Sequence, residues 1–311
     1  MTATAPPAVP VPVVFDMETR DPDDALTLCL LATHRRVRLS AVTVNPGTPA
    51  QLAVVRELLD RLGVEVPIGA RYVESPADAI SSFHHEWLGP LPPARPDGLA
   101  HEILATTLLA DPATVLLTGA PLHNLRQLLV RHQDATVRRW VAQGGFAGNN
   151  LVPERNRLAK FAGRTTCESF NFGGNKQATL AALESDRVAH RDLVSKNVTH
   201  GIAWDADLHA RLLSASDPAP GVVLAREAMA VFLARRPEGK LLHDPLAACA
   251  ILDRDAFTWA PVEVTYSQGQ WGAAPAPEST TSITLAVDWP RAADVLFDTE
   301  LGLRAPIHLR E

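Results

Sequence analysis

The chain has 311 residues, of which 46% are hydrophobic and 21% are charged, and its formal net charge is −6. This composition predicts a globular protein with an ordinary core and argues against a nucleic-acid-binding or anionic-membrane surface. No apolar run reaches 18 residues, so the sequence predicts no membrane span.

Residues 1–10 lack the basic and apolar regions of a signal peptide, so we expect a disordered leader followed by a single domain over residues 11–311.

The cysteines indicate the redox state of the compartment. Cys29, Cys167 and Cys249 are odd in number and widely spaced, which argues against a disulfide framework. A reducing, cytoplasmic location therefore fits best, with Cys29 and Cys249 as small core residues.

Strand-like and helix-like segments alternate along the chain. Strands are predicted at residues 11–15, 37–44, 66–68, 114–117 and 137–143, and residues 191–198 lead into another strand end. Helices are predicted at residues 25–33, 48–62, 122–131, 175–185 and 245–252. Two late strands, residues 262–266 and 282–287, are expected to be antiparallel. The prediction is an α/β fold with an open, mainly parallel, Rossmann-like sheet, helices on both faces and a late antiparallel extension.

Polar residues follow several of these strands, where ligands of open α/β sheets bind. The first strand ends in an acidic segment, residues 16–24, that holds five carboxylates. Such crowding favours a hard divalent cation, because a cation relieves the repulsion between the carboxylates. The alternative is a solvated loop in which Asp23 or Asp24 caps the next helix. Asp244, which precedes Pro245, offers a further carboxylate, or else a helix N-cap.

The ordered set of these features resembles the inosine-uridine nucleoside hydrolases over residues 13–287. The matching pieces are the acidic segment, Asn45, Pro121-Leu122-His123-Asn124, Gly148-Asn149, Glu168 to Asn171, Val198-Thr199-His200 and His243-Asp244-Pro245. The resemblance implies a calcium-dependent nucleosidase acting on a small-molecule nucleoside, with neither nucleic acid nor membrane as a partner. It also implies a homodimer or homotetramer.

The resemblance further implies roles for individual residues. Asp16, Glu18, Asp24, Asp244 and the main-chain carbonyl of His123 would bind Ca²⁺. Asp23 would bind a ribose hydroxyl, and the ribose would also contact Asn45, Asn149, Glu168 and Asn171. His243 would act as a donor near the leaving base. The calcium-bound water would be the nucleophile, with Glu18 or Asp21 accepting its proton.

Two departures from the family pattern stand out. The first loop is one residue longer, and Glu18 replaces an aspartate. The segment of residues 150–167 is an insertion, and Glu168 lies one residue further from Asn171 than in the family pattern. These changes suggest a divergent branch, and they leave the preferred base open among purines, pyrimidines and modified bases.

For several other aromatic and imidazole side chains the sequence allows either a substrate contact or a structural role. The loop with His84, His85 and Trp87 could close on the substrate, with His85 as a contact, or could be a surface loop. For His200 a structural hydrogen-bonding role is favoured. Phe170 and Trp204 are expected to pack in the core, although either could wall a base pocket.

Two other functions remain open on the sequence alone. A haloacid dehalogenase-type phosphohydrolase also places a carboxylate loop after its first strand, but Glu18 does not fit its pattern. A non-catalytic nucleoside-binding protein on the same fold would tolerate the altered first loop, but it would have little use for a crowded acidic segment.

Overall fold

A computed structural model of the chain describes residues 9–72 and 79–303. The expected disordered leader falls mostly outside the described residues, and only Val9 and Pro10 of it are described, both exposed. In the described part of the chain no helix has the length and apolar character needed to cross a membrane.

The strands, in chain order, are β1 (Val11–Met17), β2 (Val37–Val44), β3 (Ile68–Ala70), β4 (Gly98–Leu99), β5 (Val115–Thr118), β6 (Val137–Gln143), β7 (Thr166–Cys167), β8 (Val188–Val194), β9 (Ala203–Trp204), β10 (Lys240–Leu241), β11 (Phe257–Ser267), β12 (Gln270–Pro275) and β13 (Thr281–Val287). The helices are α1 (Pro22–Thr33), α2 (Pro49–Leu62), α3 (Ser82–Leu88), α4 (Ala100–Ala110), α5 (His123–Arg131), α6 (Phe170–Gly174), α7 (Lys176–Glu184), α8 (Lys196–Thr199), α9 (Ala206–Ser214), α10 (Pro220–Arg235), α11 (His243–Leu252) and α12 (Trp289–Leu296).

Eleven of these strands form one sheet in the order β4-β3-β2-β1-β5-β6-β8-β13-β11-β12-β7. The pairs from β4 to β13 are parallel, whereas β13, β11, β12 and β7 pair antiparallel. The predicted fold class is therefore confirmed, including the antiparallel extension. Strands β9 and β10 form a separate antiparallel pair.

Helices cover both faces of the parallel part, as buried parallel sheets require. Side chains of β1 alternate between two core clusters: Val13, Phe15 and Met17 face one, and Val14 faces the other. Helices α1, α2, α10, α11 and α12 pack into the first cluster, and α4, α5 and α7 pack into the second. Cys29, Cys249 and Trp204 belong to the first cluster, as predicted for them.

The helix after β1 starts earlier than predicted, at Pro22 instead of residue 25. Proline is favoured in the first helical turn because it has no N–H to leave unbonded there, and Asp21 is accordingly the N-cap residue. Asp23 and Asp24 thus lie in the first helical turn, where the helix dipole favours negative charge. They are buried, so neither the solvated loop nor the capping role applies to them.

Three other predicted boundaries were wrong. The strand expected at residues 66–68 is β3, displaced towards the C-terminus, because Pro67 cannot donate to a strand ladder. Residues 191–198 do not form one strand end: β8 stops at Val194, and the short helix α8 carries Thr199. Helix α11 begins at His243, so Asp244 lies inside its first turn and is not the N-cap.

Candidate active site

A cavity of about 390 Å³ opens at the carboxyl ends of the parallel strands. Side chains and main chain from widely separated segments meet there because β1, β5, β6 and β8 all end at this edge of the sheet. The residues that line it are Glu18, Arg20, Asp21, Asp23, Asp24, Gly119, Gln143, Ser169, Phe170, Asn171, Lys196, His200, His243 and Asp244. One side is acidic and is called here the acidic wall: Glu18, Asp21, Asp23, Asp24 and Asp244.

Main-chain hydrogen bonds hold the acidic wall together. Oδ1 of Asp24 accepts from the N–H of Glu18 at 2.9 Å. Oδ2 of Asp23 accepts from the N–H groups of both His243 and Asp244, each at 3.0 Å. The two bonds of Asp23 join the first turn of α1 to the first turn of α11, more than 200 residues later in the chain. The acidic segment and Asp244 therefore face one another, as the cation hypothesis requires.

Asp23, Asp24 and Asp244 each offer an oxygen within 4.8 Å of the others, and all three are buried. Burial raises the pKa of Asp24 well above its usual value, and the charges of Asp244 and Glu18 raise it further. The pKa of Asp244 also rises well above normal, through burial and the charge of Asp23. Oδ1 of Asp244 has no hydrogen-bond partner among the described residues. Carboxylate oxygens crowded in this way are the ligands that hard divalent cations prefer, so the residues fit a cation of this class.

Asp16 lies near the end of β1, outside the group of three carboxylates and outside the lining of the cavity. Its Oδ1 accepts from Thr43 Oγ1 and Asn124 Nδ2, both at 2.7 Å. Its Oδ2 is buried and has no hydrogen-bond partner within the described ranges. Burial raises the pKa of Asp16 to about 6 despite those two hydrogen bonds. An orphaned carboxylate oxygen at this depth is unusual, and a cation would satisfy it.

The main chain at residue 119 packs against the carboxyl group of Asp244, which is possible only because that residue is glycine. A Cβ at Gly119 would lie 2.7 Å from the carboxyl carbon of Asp244, too close for any side chain. The main chain of β5 can thus approach the carboxylate closely.

Lys240 is a component of the acidic wall region that the sequence analysis missed. Its ammonium lies 2.8 Å from a carboxylate oxygen of Asp21 and 3.1 Å from one of Asp23, and the residue is only 7% exposed. Burial opposes ionisation of Asp23, but the charges of Lys240 and His243 and the hydrogen bond from Asp244 lower its pKa to about 2. Asp23 is therefore held as a carboxylate, whereas Asp24, its neighbour in sequence, resists ionisation.

Glu18 and Asp21 are the two candidates for accepting a proton from water. Glu18 is 7% exposed, and its pKa rises to about 7 through burial and the charges of Asp21 and Asp23, against the opposing charge of Arg20. The side chain of Asp21 is 45% exposed and is tied to Lys240. Partial burial and the charge of Asp23 raise the pKa of Asp21 as well.

Two imidazoles stand side by side next to the acidic wall. The ring centroids of His200 and His243 are 4.8 Å apart, and Nδ1 of His243 lies 3.1 Å from Thr199 Oγ1. Burial lowers the pKa of His243 to about 4, although Asp23 opposes the shift. Burial and the charge of His243 lower that of His200 to about 3. Both rings are neutral at pH 7. His200 lines the cavity, so the purely structural role favoured for it is too narrow.

Three basic side chains, Lys160, Lys196 and His200, form a group called here the basic wall, of which Lys196 and His200 line the cavity. Nζ of Lys160 lies 2.6 Å from Nδ1 of His200, and Nζ of Lys196 donates to the main-chain carbonyl of Glu168 at 2.9 Å. No carboxylate in the described part of the chain lies within ion-pair distance of either lysine. The sequence analysis assigned no role to these two lysines.

Asn171 is one predicted ribose contact that lines the cavity. Its Nδ2 donates to the main-chain carbonyl of Gly119 and to the side-chain oxygen of Gln143, at 3.0 and 2.8 Å. Gln143, at the end of β6, was not predicted. Phe170 precedes Asn171 and is 63% exposed over the cavity, so the expectation that it packs in the core was wrong. It is the first residue of a short helix whose buried positions are Asn171 and Phe172.

Other predicted contacts lie outside the lining of this cavity. The amide of Asn45 donates towards Pro121 and His123, and the imidazole of His123 faces a separate groove with Arg71. Asn149 is half-buried, and its main chain bonds to Arg164. The side chains of Glu168 and His85 are exposed, and of the His84–His85 pair it is His84 that is buried, against Thr19. The ribose and calcium roles of these residues stay predictions.

A second cavity of about 530 Å³ adjoins the first and shares Arg20, Asp21 and His243 with it. Phe83 of α3 and Phe232 of α10 give it aromatic sides, with ring centroids 5.7 Å apart. The second cavity is thus lined by two aromatic rings as well as by the charged residues that the two cavities share.

Comparisons with known proteins agree with this geometry. The family described as inosine-uridine preferring nucleoside hydrolase matches residues 13–294. An uncharacterized protein of Aquifex aeolicus (strain VF5) is 29% identical over 289 residues, which are 90% of this chain and 95% of that protein.

Solved structures of low sequence identity share the fold. A plant nucleoside hydrolase is 19% identical with a TM-score of 0.68, covering 95% of this chain and 100% of its own. An inosine-uridine preferring nucleoside hydrolase from Bacillus anthracis is 20% identical with a TM-score of 0.65, covering 94% and 99%. An inosine-guanosine nucleoside hydrolase is 17% identical with a TM-score of 0.69, covering 94% and 99%.

Proposed function

The chain belongs to the inosine-uridine preferring nucleoside hydrolase family, a family of hydrolases acting on N-glycosyl compounds, and from this premise we propose how it works. It cleaves the N-glycosidic bond of a ribonucleoside with water, giving ribose and a free base. The observation that carries the proposal is the convergence of Asp23, Asp24 and Asp244 on one buried point in a cavity beyond the strand ends. The haloacid dehalogenase alternative lacks support of this kind.

Asp24 and Asp244 are the residues that would hold Ca²⁺, and Asp16, whose Oδ2 is buried without a hydrogen-bond partner among the described residues, is a ligand expected from the family resemblance. The main-chain carbonyl of His123 and the side chain of Glu18 are further ligands expected from the family resemblance. When bound, the ion would supply a Lewis acid that orients the ribose diol and lowers the pKa of the attacking water. Asp24 and Asp244 have raised pKa values without a cation, so a bound cation would stabilise their ionised forms most.

Asp23 binds a ribose hydroxyl. Lys240 and the N–H groups at the start of α11 lower its pKa and keep it ionised, so it can accept a hydrogen bond from the sugar. Its negative charge also stabilises the positive charge that develops on the ribose ring as the glycosidic bond breaks. Asn171 and Gln143 add amide groups that orient the sugar.

Glu18 accepts the proton of the attacking water. A general base must reach the water with a free carboxylate, and Glu18 lines the cavity without an ion-pair partner among the described residues. Asp21 is less suited to this role because Lys240 occupies its carboxylate. Asp21 instead positions Lys240 against Asp23.

His243 assists departure of the base as a neutral hydrogen-bond donor. Its pKa of about 4 means that it carries no stored proton at pH 7. The ring is held by Thr199 and lines both cavities, so it stands at the boundary between sugar and base. As negative charge grows on the base, a donor at this boundary stabilises it.

The proposal is tested by ribose release from a panel of purine, pyrimidine and modified ribonucleosides, with and without a chelator. We expect release from at least one of them, loss of activity on chelation and recovery on addition of calcium. Tight calcium-dependent nucleoside binding without any release would instead support the non-catalytic alternative. The expected cytoplasmic location and the homodimeric or homotetrameric assembly also remain predictions.

A further inference from the structure

A third recess in the surface lies beside helix α5, apart from the two cavities described above. It encloses about 430 Å³ and shares no lining residue with either of them. The described residues that line it are Arg71, His123, Arg126, Gln127, Val130, Arg131 and Asn175. They include three arginines and no carboxylate, and the recess is called here the arginine groove. Its composition favours an anionic ligand.

The three arginines of the groove have no ion-pair partner within the described ranges. Nη1 of Arg126 donates to Gln177 Oε1 at 2.9 Å. Nε of Arg131 donates to Gln127 Oε1 at 2.6 Å. Both acceptors are neutral amides, so these bonds leave the positive charge of each guanidinium unbalanced. Nine other arginines of the described chain do lie against carboxylates, so the missing pairs are a local feature of the groove.

Arg71 brings its charge from a different part of the chain. It follows β3, and its main-chain N–H donates to the carbonyls of Val44 and Pro46, at 3.3 and 3.1 Å. Its guanidinium lies over the ring of Tyr72, 4.7 Å from the centroid. Its Nε is buried and has no hydrogen-bond partner among the described residues. The side chain is therefore held by its backbone and by stacking, without a described carboxylate to balance it.

Helix α5 forms the other side of the groove. Five of its residues recur at the spacing i, i+3, i+4, i+7 and i+8 and so share one face of the helix: His123, Arg126, Gln127, Val130 and Arg131. Leu125, Leu128 and Leu129 are buried in the core and fix the rotation of the helix. The register of α5 therefore directs its arginines to the same groove as Arg71.

The chemistry of the groove favours phosphate over a single carboxylate. A guanidinium presents paired N–H donors that match the oxygens of a phosphate group. Phosphate monoesters carry a charge of about −1.5 to −2 at pH 7, which balances several arginines better than one carboxylate does. The Asn45 amide donates to Nδ1 of His123 at 3.3 Å, so the ring N–H of His123 is on Nε2 and adds a donor. The volume suits a small molecule.

We propose that the arginine groove binds a phosphate group, free or carried by a small metabolite, at a site separate from the cavity in which the nucleoside is cleaved. Arg71, Arg126 and Arg131 would bind the phosphate oxygens. The proposal goes beyond the proposed function and leaves the substrate class of the cavity unchanged.

An acidic segment of a second copy of the chain is the competing occupant. The net charge of −6 shows that the chain has carboxylates to offer. However, Val130 is the one apolar side chain among the described residues of the groove, whereas the centre of a protein interface is largely apolar. We therefore assign the groove to a small ligand, and self-association becomes an outcome of the test.

The test measures the binding of inorganic phosphate, glycerol 3-phosphate and glycerol by calorimetry, in calcium-free buffer because phosphate itself binds calcium. The proteins are the wild type, Arg126→Gln, Arg131→Gln and Arg138→Gln. Arg138 is an exposed arginine of β6 that lines neither the groove nor either cavity, so Arg138→Gln is the matched control. We expect both phosphates, but not glycerol, to bind the wild type. Arg126→Gln and Arg131→Gln should each weaken phosphate binding by about tenfold or more, and Arg138→Gln should leave it unchanged.

The relative affinities identify the source of the phosphate. Tighter binding of glycerol 3-phosphate would indicate a phosphate ester, and tighter binding of inorganic phosphate would indicate the free ion; either supports the proposal. Arg131 is exposed, so Arg131→Gln is expected to fold normally, and circular dichroism checks Arg126→Gln. Absence of phosphate binding to the wild type at millimolar concentration would overturn the proposal. An equal loss of affinity in Arg138→Gln would do the same.

Sedimentation of the same four proteins tests the competing occupant. Loss of an oligomer in Arg126→Gln and Arg131→Gln, with no phosphate binding to the wild type, would assign the groove to a second copy of the chain and overturn the proposal. The groove shares no residue with the cavity, so these results are interpretable whether or not the chain hydrolyses nucleosides.

Discussion

The acidic wall lines the cavity and the basic wall reaches it through Lys196 and His200, but the two groups are constructed in opposite ways. Asp23, Asp24 and Asp244 are buried; Asp24 accepts from the main-chain N–H of Glu18, and Asp23 accepts from two N–H groups at the start of α11. Lys160 is exposed, Lys196 is half-buried, and Lys160 comes from an inserted segment. The carboxylates of the acidic wall are therefore positioned by the fold itself, whereas the lysines of the basic wall are positioned by local segments. We therefore expect the acidic wall to control the chemistry and the basic wall to control the choice of ligand.

The strongest test of this division is removal of a carboxylate that would hold the cation. Asp24→Asn and Asp244→Asn keep the shape of the side chain and remove its charge. We expect each to lower kcat by about 10³-fold or more, because a Lewis acid contributes several kcal/mol to the transition state. Calcium binding, measured by calorimetry, should disappear in both. Asp60→Asn, on the exposed face of α2, is the control.

The next effect concerns proton transfer within the acidic wall. We expect Glu18→Gln to lower kcat by about 10²- to 10⁴-fold, the usual contribution of a general base. Asp21→Asn should cost clearly less, because Asp21 acts through Lys240. Steady-state kinetics on both variants checks the assignment. A larger loss in Asp21→Asn than in Glu18→Gln would reverse the two roles.

Lys240, which pairs with Asp21 and Asp23 of the acidic wall, should behave differently from the lysines of the basic wall. Lys240→Met removes the ammonium that keeps Asp23 ionised, so we expect kcat/KM to fall by about 10- to 100-fold for every substrate. The acidic limb of the pH profile should also move to higher pH, because the pKa of Asp23 rises without that charge. Lys240→Arg should restore part of the activity. Substrate-dependent losses would instead place Lys240 with the basic wall.

The smallest effect is on stability, and its sign follows from the pKa shifts. Burial raises the pKa of Asp16 to about 6 and that of Glu18 to about 7, and raises those of Asp24 and Asp244. A raised folded-state pKa gives stability below the unfolded pKa near 4, and this is lost as pH rises through the folded value. In chelator, Tm should therefore fall between pH 5 and pH 8 by at least about 4 °C. Saturating calcium should remove most of this slope, and a slope unaffected by calcium would contradict the cation site.

Much of the acidic wall was predictable because it depends on the sheet. A strand rich in buried valines followed by carboxylates locates Asp16 to Asp24 at the carboxyl edge, whatever the rest of the chain does. Asp244 could be matched to it only through the family resemblance, since no local pattern links residues 220 positions apart.

The basic wall and Lys240 were not predictable in the same way. Lys240 lies in a two-residue strand, and its burial depends on Asp21 and Asp23, which are remote in sequence. Lys160 lies in a segment that departs from the family pattern, so no motif could assign it. Phe170 illustrates the converse error: hydrophobic character alone predicts burial, but its place at the start of α6 turns it over the cavity.

The central claim is that one calcium ion, held between the acidic segment and Asp244, is required for N-glycosidic cleavage. The most direct measurement is base or sugar release by the chelated wild-type protein as free calcium is titrated back. We predict that activity returns in proportion to calcium binding and saturates at one ion per chain. Full activity of the protein in excess chelator, with no bound calcium, would contradict the account.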